Sequence, residues 1–216
     1  LSEVVIKKDP KYADAYVILG LIELSKKNHN ESLSYLSKAF KINPYIKAIW
    51  PILLSLISET DNENKIIKLL DDFIKYEKDN GLYHYEKAYF YQKNLMHSDA
   101  LECYKNAIKS NFYNPQIYSN IADIYETIGN TDEANKSYLK GIVIDPDNSE
   151  IYNNYAVFLK NQGELEKASE NFFIAAQKDP NNNQILRNLA YCLKDIRFIN
   201  FSNKFSEMFE MILDKG

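Results

Sequence analysis

Three asparagines, Asn120, Asn154 and Asn188, stand 34 residues apart in the chain. A carboxamide presents a donor and an acceptor on one short side chain. A row of them at constant spacing is suited to gripping the backbone of an extended peptide, whatever its sequence. No other residue set is arranged for more than binding. The histidines His29, His84 and His97 lie at no metal-ligand spacing with one another or with Cys103 and Cys192, so neither a metal nor a cofactor is expected. His29 and His97 read as turn residues, and His84 reads as a core histidine. The six glycines are scattered singly, with none of the clustering that a phosphate-cradling loop requires. The serines and aspartates show no nucleophile-elbow context. Carboxylate pairs such as Glu164 and Glu166 read as solvated helix starts at the positive end of a helix dipole. No catalytic constellation is present, and the chain is read as non-enzymatic.

The segment 115–148 shows what must position such a row. Gln116 to Thr127 carries Ile117, Ile121, Ile124 and Tyr125 at helical spacing around small Ala122. Asp132 to Ile144 carries Ala134, Tyr138, Gly141 and Ile142. Gly129-Asn130 separates the two stretches, and Asp145-Pro146 stops the second. Two amphipathic helices and two breakers make a helical hairpin, which cannot bury both faces alone and needs neighbours. The block 149–182 aligns with it without a gap: Tyr152 under Tyr118, Ala156 under Ala122, Gly163 under Gly129, Ala168 under Ala134, Phe172 under Tyr138 and Pro180 under Pro146.

This pattern resembles the tetratricopeptide repeat (TPR), a 34-residue unit with the signature W-x2-L-G-x2-Y, then A-x3-F, A and P. It recurs in six frames starting at 13, 47, 81, 115, 149 and 183. The frame at 13 matches through Tyr16, Leu19-Gly20, Ser32, Leu36, Ala39 and Pro44. The frame at 47 is degenerate: Trp50 fits, but Leu54, Ile66 and Phe73 replace small residues, which should hold this pair of helices further apart. The resemblance implies an all-α, right-handed superhelical α-solenoid of antiparallel helix hairpins. Residues 1–12 are expected to be the trailing helix of a preceding, truncated repeat, and 13–182 an array of five repeats. Residues 183–216 form a degenerate last repeat or a capping helix, with Phe201, Phe205 and Phe209 at i, i+4 and i+8. A start inside a repeat is expected of a fragment of a longer protein.

Binding in such arrays is expected on the concave face, lined by the first helix of each hairpin. The resemblance puts the ligand-facing residues near positions 2, 5, 6, 9, 12 and 13 of each frame. Position 6 runs Ile18, Ile52, Glu86, Asn120, Asn154, Asn188, and asparagine there is also simply the family's consensus residue. Positions 5 and 9 supply Tyr85, Tyr89, Asp123, Asn153, Arg187 and Tyr191, but Val17, Leu21, Pro51 and Ser55 toward the N-terminus. The groove should therefore pass from apolar to polar along the chain. Tyr91, Tyr104, Tyr118, Tyr125, Tyr138 and Tyr152 occupy signature positions and are assigned to the core. The lysine at position 5 used by the chaperone-type carboxylate clamps is absent from every frame.

The resemblance thus implies a non-catalytic interaction scaffold for a protein or peptide. The alternative is the substrate-recruiting array of a larger enzyme, such as a glycosyl- or methyltransferase. A net charge of −4 and a pI near 5.5 argue against nucleic acid as partner. No apolar run is long enough to span a membrane. Two cysteines in different repeats suit the reduced thiols of a cytoplasmic setting. The apolar ends of a truncated array would allow weak self-association.

Overall fold

The structure, a computed structural model, describes residues 2–58, 63–196, 208 and 210. The side chain of Leu54 and the expected stripe of Phe201, Phe205 and Phe209 lie outside the described residues. Within them the chain is all-helical. In order, the helices are α1 (Ser2–Lys8), α2 (Ala13–Ser25), α3 (His29–Ile42), α4 (Trp50–Ser58), α5 (Glu63–Tyr76) and α6 (Gly81–Lys93). They continue as α7 (His97–Lys109), α8 (Gln116–Thr127), α9 (Thr131–Ile144), α10 (Ser149–Asn161), α11 (Leu165–Lys178) and α12 (Asn183–Asp195). The residues form two compact units, 1–87 and 88–216.

One turn joins the two helices of a hairpin in four repeats. Lys27, Leu95, Gly129 and Gly163, at equivalent positions, all have positive φ, between 60° and 80°. In each, the amide of the next residue reaches back five positions: Asn28 to Glu23, Met96 to Tyr91, Asn130 to Tyr125 and Glu164 to Leu159, at 2.8–2.9 Å. The left-handed residue's own amide bonds three residues back, as with Gly129 N–H to Glu126 O at 3.0 Å. This is the Schellman closure, which satisfies the carbonyls orphaned at a helix end. Glycine meets the backbone requirement freely in two repeats, whereas Lys27 and Leu95 meet it against their Cβ. Three helix starts are capped by an asparagine Oδ1: Asn130 accepts one backbone N–H of α9, and Asn148 and Asn182 accept two each from α10 and α12. His29 and His97, expected in these turns, instead open α3 and α7. The closure ends one residue earlier, so the frame position they share is the first of the second helix.

Small residues set the hairpin spacing. In the first unit the Gly20 backbone faces Leu36, and the Ser32 hydroxyl donates to Gly20 O at 2.8 Å in a buried site. A Cβ on Gly20 would meet Leu36 Cγ and Cδ2 at 2.6 Å. In the second unit Ala88, Ala100, Ala107, Ala122, Ala134, Ala156 and Ala168 are all fully buried. Gly141 sits where a Cβ would come within 3.1 Å of Tyr118 Cβ and 3.3 Å of Ile151 Cδ1, which joins one hairpin to the next.

The degenerate frame at 47 is filled differently. Phe73 is completely buried and meets Phe40 at 4.6 Å, Tyr83 at 5.1 Å and Trp50 at 5.8 Å between ring centroids. The Trp50 indole N–H donates to Pro44 O at 3.1 Å. Large rings in edge and offset contact thus occupy the volume that small residues leave closed elsewhere. In the second unit Tyr138, Tyr155 and Phe158 make a smaller ring cluster, and the Tyr155 hydroxyl donates to Asn135 Oδ1 at 2.7 Å. Met208 is buried in the same core. Cys103 and Cys192 are buried and neither is in a disulfide, and burial pushes the Cys192 thiol up to about 11. His84 is half-buried at its aromatic position, and burial holds its pKa below the ordinary histidine range.

Two outcomes are expected in denaturant unfolding. In Gly20→Ala, a gain of about 1 kcal/mol in helix propensity is outweighed by the ~1–3 kcal/mol cost of overpacking against a leucine that has no room to move. The midpoint should fall by the equivalent of up to ~2 kcal/mol. Leu95 is 73% exposed, so Leu95→Gly loses little packing. It relieves left-handed strain of ~1–2 kcal/mol against ~0.5–1 kcal/mol of added unfolded-state entropy, for a net stabilisation of up to about 1 kcal/mol.

Candidate functional site

The first helices α8, α10 and α12 carry the polar groove residues of the second unit. Each of Asn120, Asn154 and Asn188 is partly buried, because its position lies beside the buried stripe of its helix. Their amides are not free. Asn120 Nδ2 donates to the Tyr104 hydroxyl at 2.9 Å, and that hydroxyl donates to Gln92 Oε1 at 2.7 Å. Gln92 Nε2 in turn donates to Asp123 Oδ2 at 2.8 Å. This relay runs in one direction and ends on a carboxylate, so each bond polarises the next.

A second relay starts at Arg187, which donates to Gln184 Oε1 at 3.4 Å. Gln184 Nε2 donates to Asn188 Oδ1 at 3.0 Å, and Asn188 Nδ2 donates to Asn153 Oδ1 at 2.9 Å. Asn153 Nδ2 then donates to Asn154 Oδ1 at 3.3 Å. The three ladder residues therefore differ. Asn188 is engaged at both ends. Asn120 keeps Oδ1, an acceptor, and Asn154 keeps Nδ2, a donor, without partners among the described residues.

A recess of about 500 Å3 lies between α8 and α10, floored by Tyr138 of α9. It brings together Asn120, Asp123 and Asn154. The other expected groove residues are placed elsewhere: Asn153 and Arg187 lie in the second relay, while Tyr89 and Tyr191 are well exposed on their helices. Tyr85 is half-buried in the first unit. There too, Glu86 occupies the ladder position half-buried, and burial raises its pKa. Ile18 and Leu21, at positions expected to face a ligand, are exposed on α2, so that helix presents apolar side chains.

Several lining residues were not picked out from the sequence. Ser119, Glu126 and Asn161 stand at positions 5, 12 and 13 of their frames, already among the expected ligand-facing positions. Glu126 Oε1 accepts from Asn161 Nδ2 at 3.1 Å across the recess. Ser119 is 4% exposed, and its Oγ is buried with no hydrogen-bond partner among the described residues. Leaving a buried hydroxyl so costs about 1–3 kcal/mol. Tyr138 was assigned to the core, and its ring is there, 4% exposed, yet the residue also lines the recess. Burial raises its pKa first, and the nearby carboxylates of Glu126 and Asp123 raise it further.

Comparison with known proteins identifies the repeat. The tetratricopeptide repeat family matches residues 13–46 and 115–148, and a second description of the same repeat matches 137–168. No curated protein matches the sequence. Among solved structures, the MamA protein superposes with a TM-score of 0.65 at 19% identity, covering 80% of this chain and 94% of MamA. PilF of Pseudomonas aeruginosa gives 0.65 at 16% identity over 94% of this chain and 88% of its own. A thermophilic TPR protein of Thermus thermophilus gives 0.61 at 16% identity over 84% and 99%. At these identities the likeness carries the fold. No helix among the described residues is long and apolar enough to cross a membrane, and no group of three or more His, Cys, Asp or Glu there could hold a metal ion.

The first relay depends on one hydroxyl in a fully buried ring, Tyr104. Tyr104→Phe strands the Asn120 donor and the Gln92 acceptor, and should destabilise the fold by ~1–3 kcal/mol in denaturant unfolding, with the helical circular dichroism of the native state unchanged.

Proposed function

We propose that this chain, which belongs to the tetratricopeptide repeat family, is a non-catalytic interaction scaffold that holds an extended peptide segment of a partner protein along α8, α10 and α12. One observation carries the reading: Asn120 Oδ1 and Asn154 Nδ2 are unengaged beside one recess. The two relays hold each carboxamide by its other end, so the amides meet a ligand already oriented. An extended backbone needs an acceptor for its N–H and a donor for its C=O, and this pair supplies one of each. Asn188, engaged at both ends, serves chiefly to fix Asn153 and hence Asn154. The residues Asp123, Asn153, Arg187 and Tyr191, with Tyr89 on α6, are suited to side-chain recognition, and Tyr85 of the first unit is of the same chemical kind. Large, partly exposed aromatic rings and arginine are typical anchors of such surfaces. The net negative charge disfavours nucleic acid. Cys103 and Cys192, buried and in no disulfide, support a reducing compartment, and we place the protein in the cytoplasm.

The test is a lysate pull-down read by mass spectrometry, wild type beside the Asn120→Ala/Asn154→Ala/Asn188→Ala variant, after confirming that the two melt alike. Partners captured by the wild type should be lost from the variant. Retention of every partner would move binding away from the asparagines and leave them as consensus residues.

A further inference from the structure

The recess between α8 and α10 has a chemistry of its own. Asp123 and Glu126 bring two carboxylates to it, and no lysine or arginine lines it among the described residues. Lys160, near on α10, is paired with Asp195 at 3.1 Å. The neutral polar lining is rich in acceptors as well. Asn120 offers its unengaged Oδ1, and Tyr138 and Ser119 offer hydroxyl oxygens. The Ser119 hydroxyl is the second, independent sign of a ligand. Its residue is 96% buried, it lines the recess, and its Oγ has no partner among the described residues. Native structures rarely leave such an atom unsatisfied unless something absent completes it. Glu126 is held in place by Asn161, and Asp123 by Gln92, so both carboxylates are positioned before any ligand arrives. At about 500 Å3 the recess falls within the range of roughly 300–1,000 Å3 typical of small-ligand clefts.

We propose that this recess is the specificity pocket of the groove and takes a cationic side chain, lysine or arginine, of the bound peptide. The reading rests on the peptide groove proposed above and names what it selects. A lysine ammonium or arginine guanidinium carries only donors, three or five N–H groups, and this lining answers with acceptors. The cation offsets the repulsion between Asp123 and Glu126 and gives the Ser119 oxygen a donor. An acidic side chain or a C-terminal carboxylate meets two like charges in the same place. Selection here therefore combines an attractive fit for one charge with rejection of the other.

A bead-displayed random heptapeptide library screened with the 216-residue chain tests this. Retained peptides should share a lysine or arginine at one position. In fluorescence anisotropy, a selected peptide with that residue replaced by norleucine, the neutral near-isostere of lysine, should bind the wild type about tenfold or more weakly. The lysine preference should shrink as salt rises, and it should vanish in Asp123→Asn/Glu126→Gln. Glu126→Gln alone, which leaves the Asp123–Gln92 bond intact, should halve it or more, and guards against any misfolding of the double variant. Peptides that bind and are lost with the triple asparagine variant, but show no basic preference, would overturn the pocket and leave the groove standing. A lysine preference that persists in both acidic-site variants would do the same. Retention of no peptide at all would overturn both.

Discussion

Four of the hairpins close at a crossing with room for a methyl group at most, and in the first repeat not even that. The Gly20 backbone lies against Leu36 with no space for a Cβ, while Ala88, Ala122 and Ala156 fill the equivalent place in later repeats with no exposed surface. Close backbone approach brings many weak dispersion contacts to optimal range at once and excludes water from the crossing. It also sets the direction in which the rest of the first helix points. A larger residue at the crossing would rotate or displace that helix, and every ligand-facing side chain with it. The outward face of the first helices is thus a consequence of the packing face.

Repetition turns this local constraint into a row. Because 34 residues return the chain to the same place on the next hairpin, one side-chain type at one position becomes a line of like groups. The two units use that regularity differently. In the first, Phe40, Trp50, Phe73 and Tyr83 build a ring cluster inside, and α2 shows Ile18 and Leu21 outside. In the second, buried alanines keep the hairpins tight and the outward face carries amides and carboxylates. A regular scaffold can vary one face freely because the other does the folding.

The asparagines show how neighbouring groups differentiate a repeated residue. Identical side chains at identical positions end with different valences: one free acceptor, one free donor and one fully engaged. The cause is the variable residues beside them. Tyr104 and Gln92 pull on Asn120, and Gln184 and Asn153 pull on Asn188. Tyr138 is similar in kind, since its ring serves the core while the residue also lines the recess.

Much of the fold was determined by the sequence alone. Hairpins, their period and the small residues at their crossings were legible because each is enforced by short-range geometry that repeats: helical spacing, breakers and a fixed register. Gly129 and Gly163 announced the left-handed turn, since glycine is the residue that adopts it without strain. Lys27 and Leu95 concealed the same turn, because there the closure imposes the conformation against the residue's preference. The recess was half legible. Asn120, Asp123 and Asn154 were marked by position, whereas Ser119, Glu126 and Asn161 shared such positions without drawing notice. What only the tertiary structure decided was which atoms are left for a ligand. Asn120 is bound by a residue 16 positions away, Asn188 by one 35 away, and the Ser119 hydroxyl by none. Hydrogen-bond satisfaction is settled between helices, by distances that no periodicity within a helix contains.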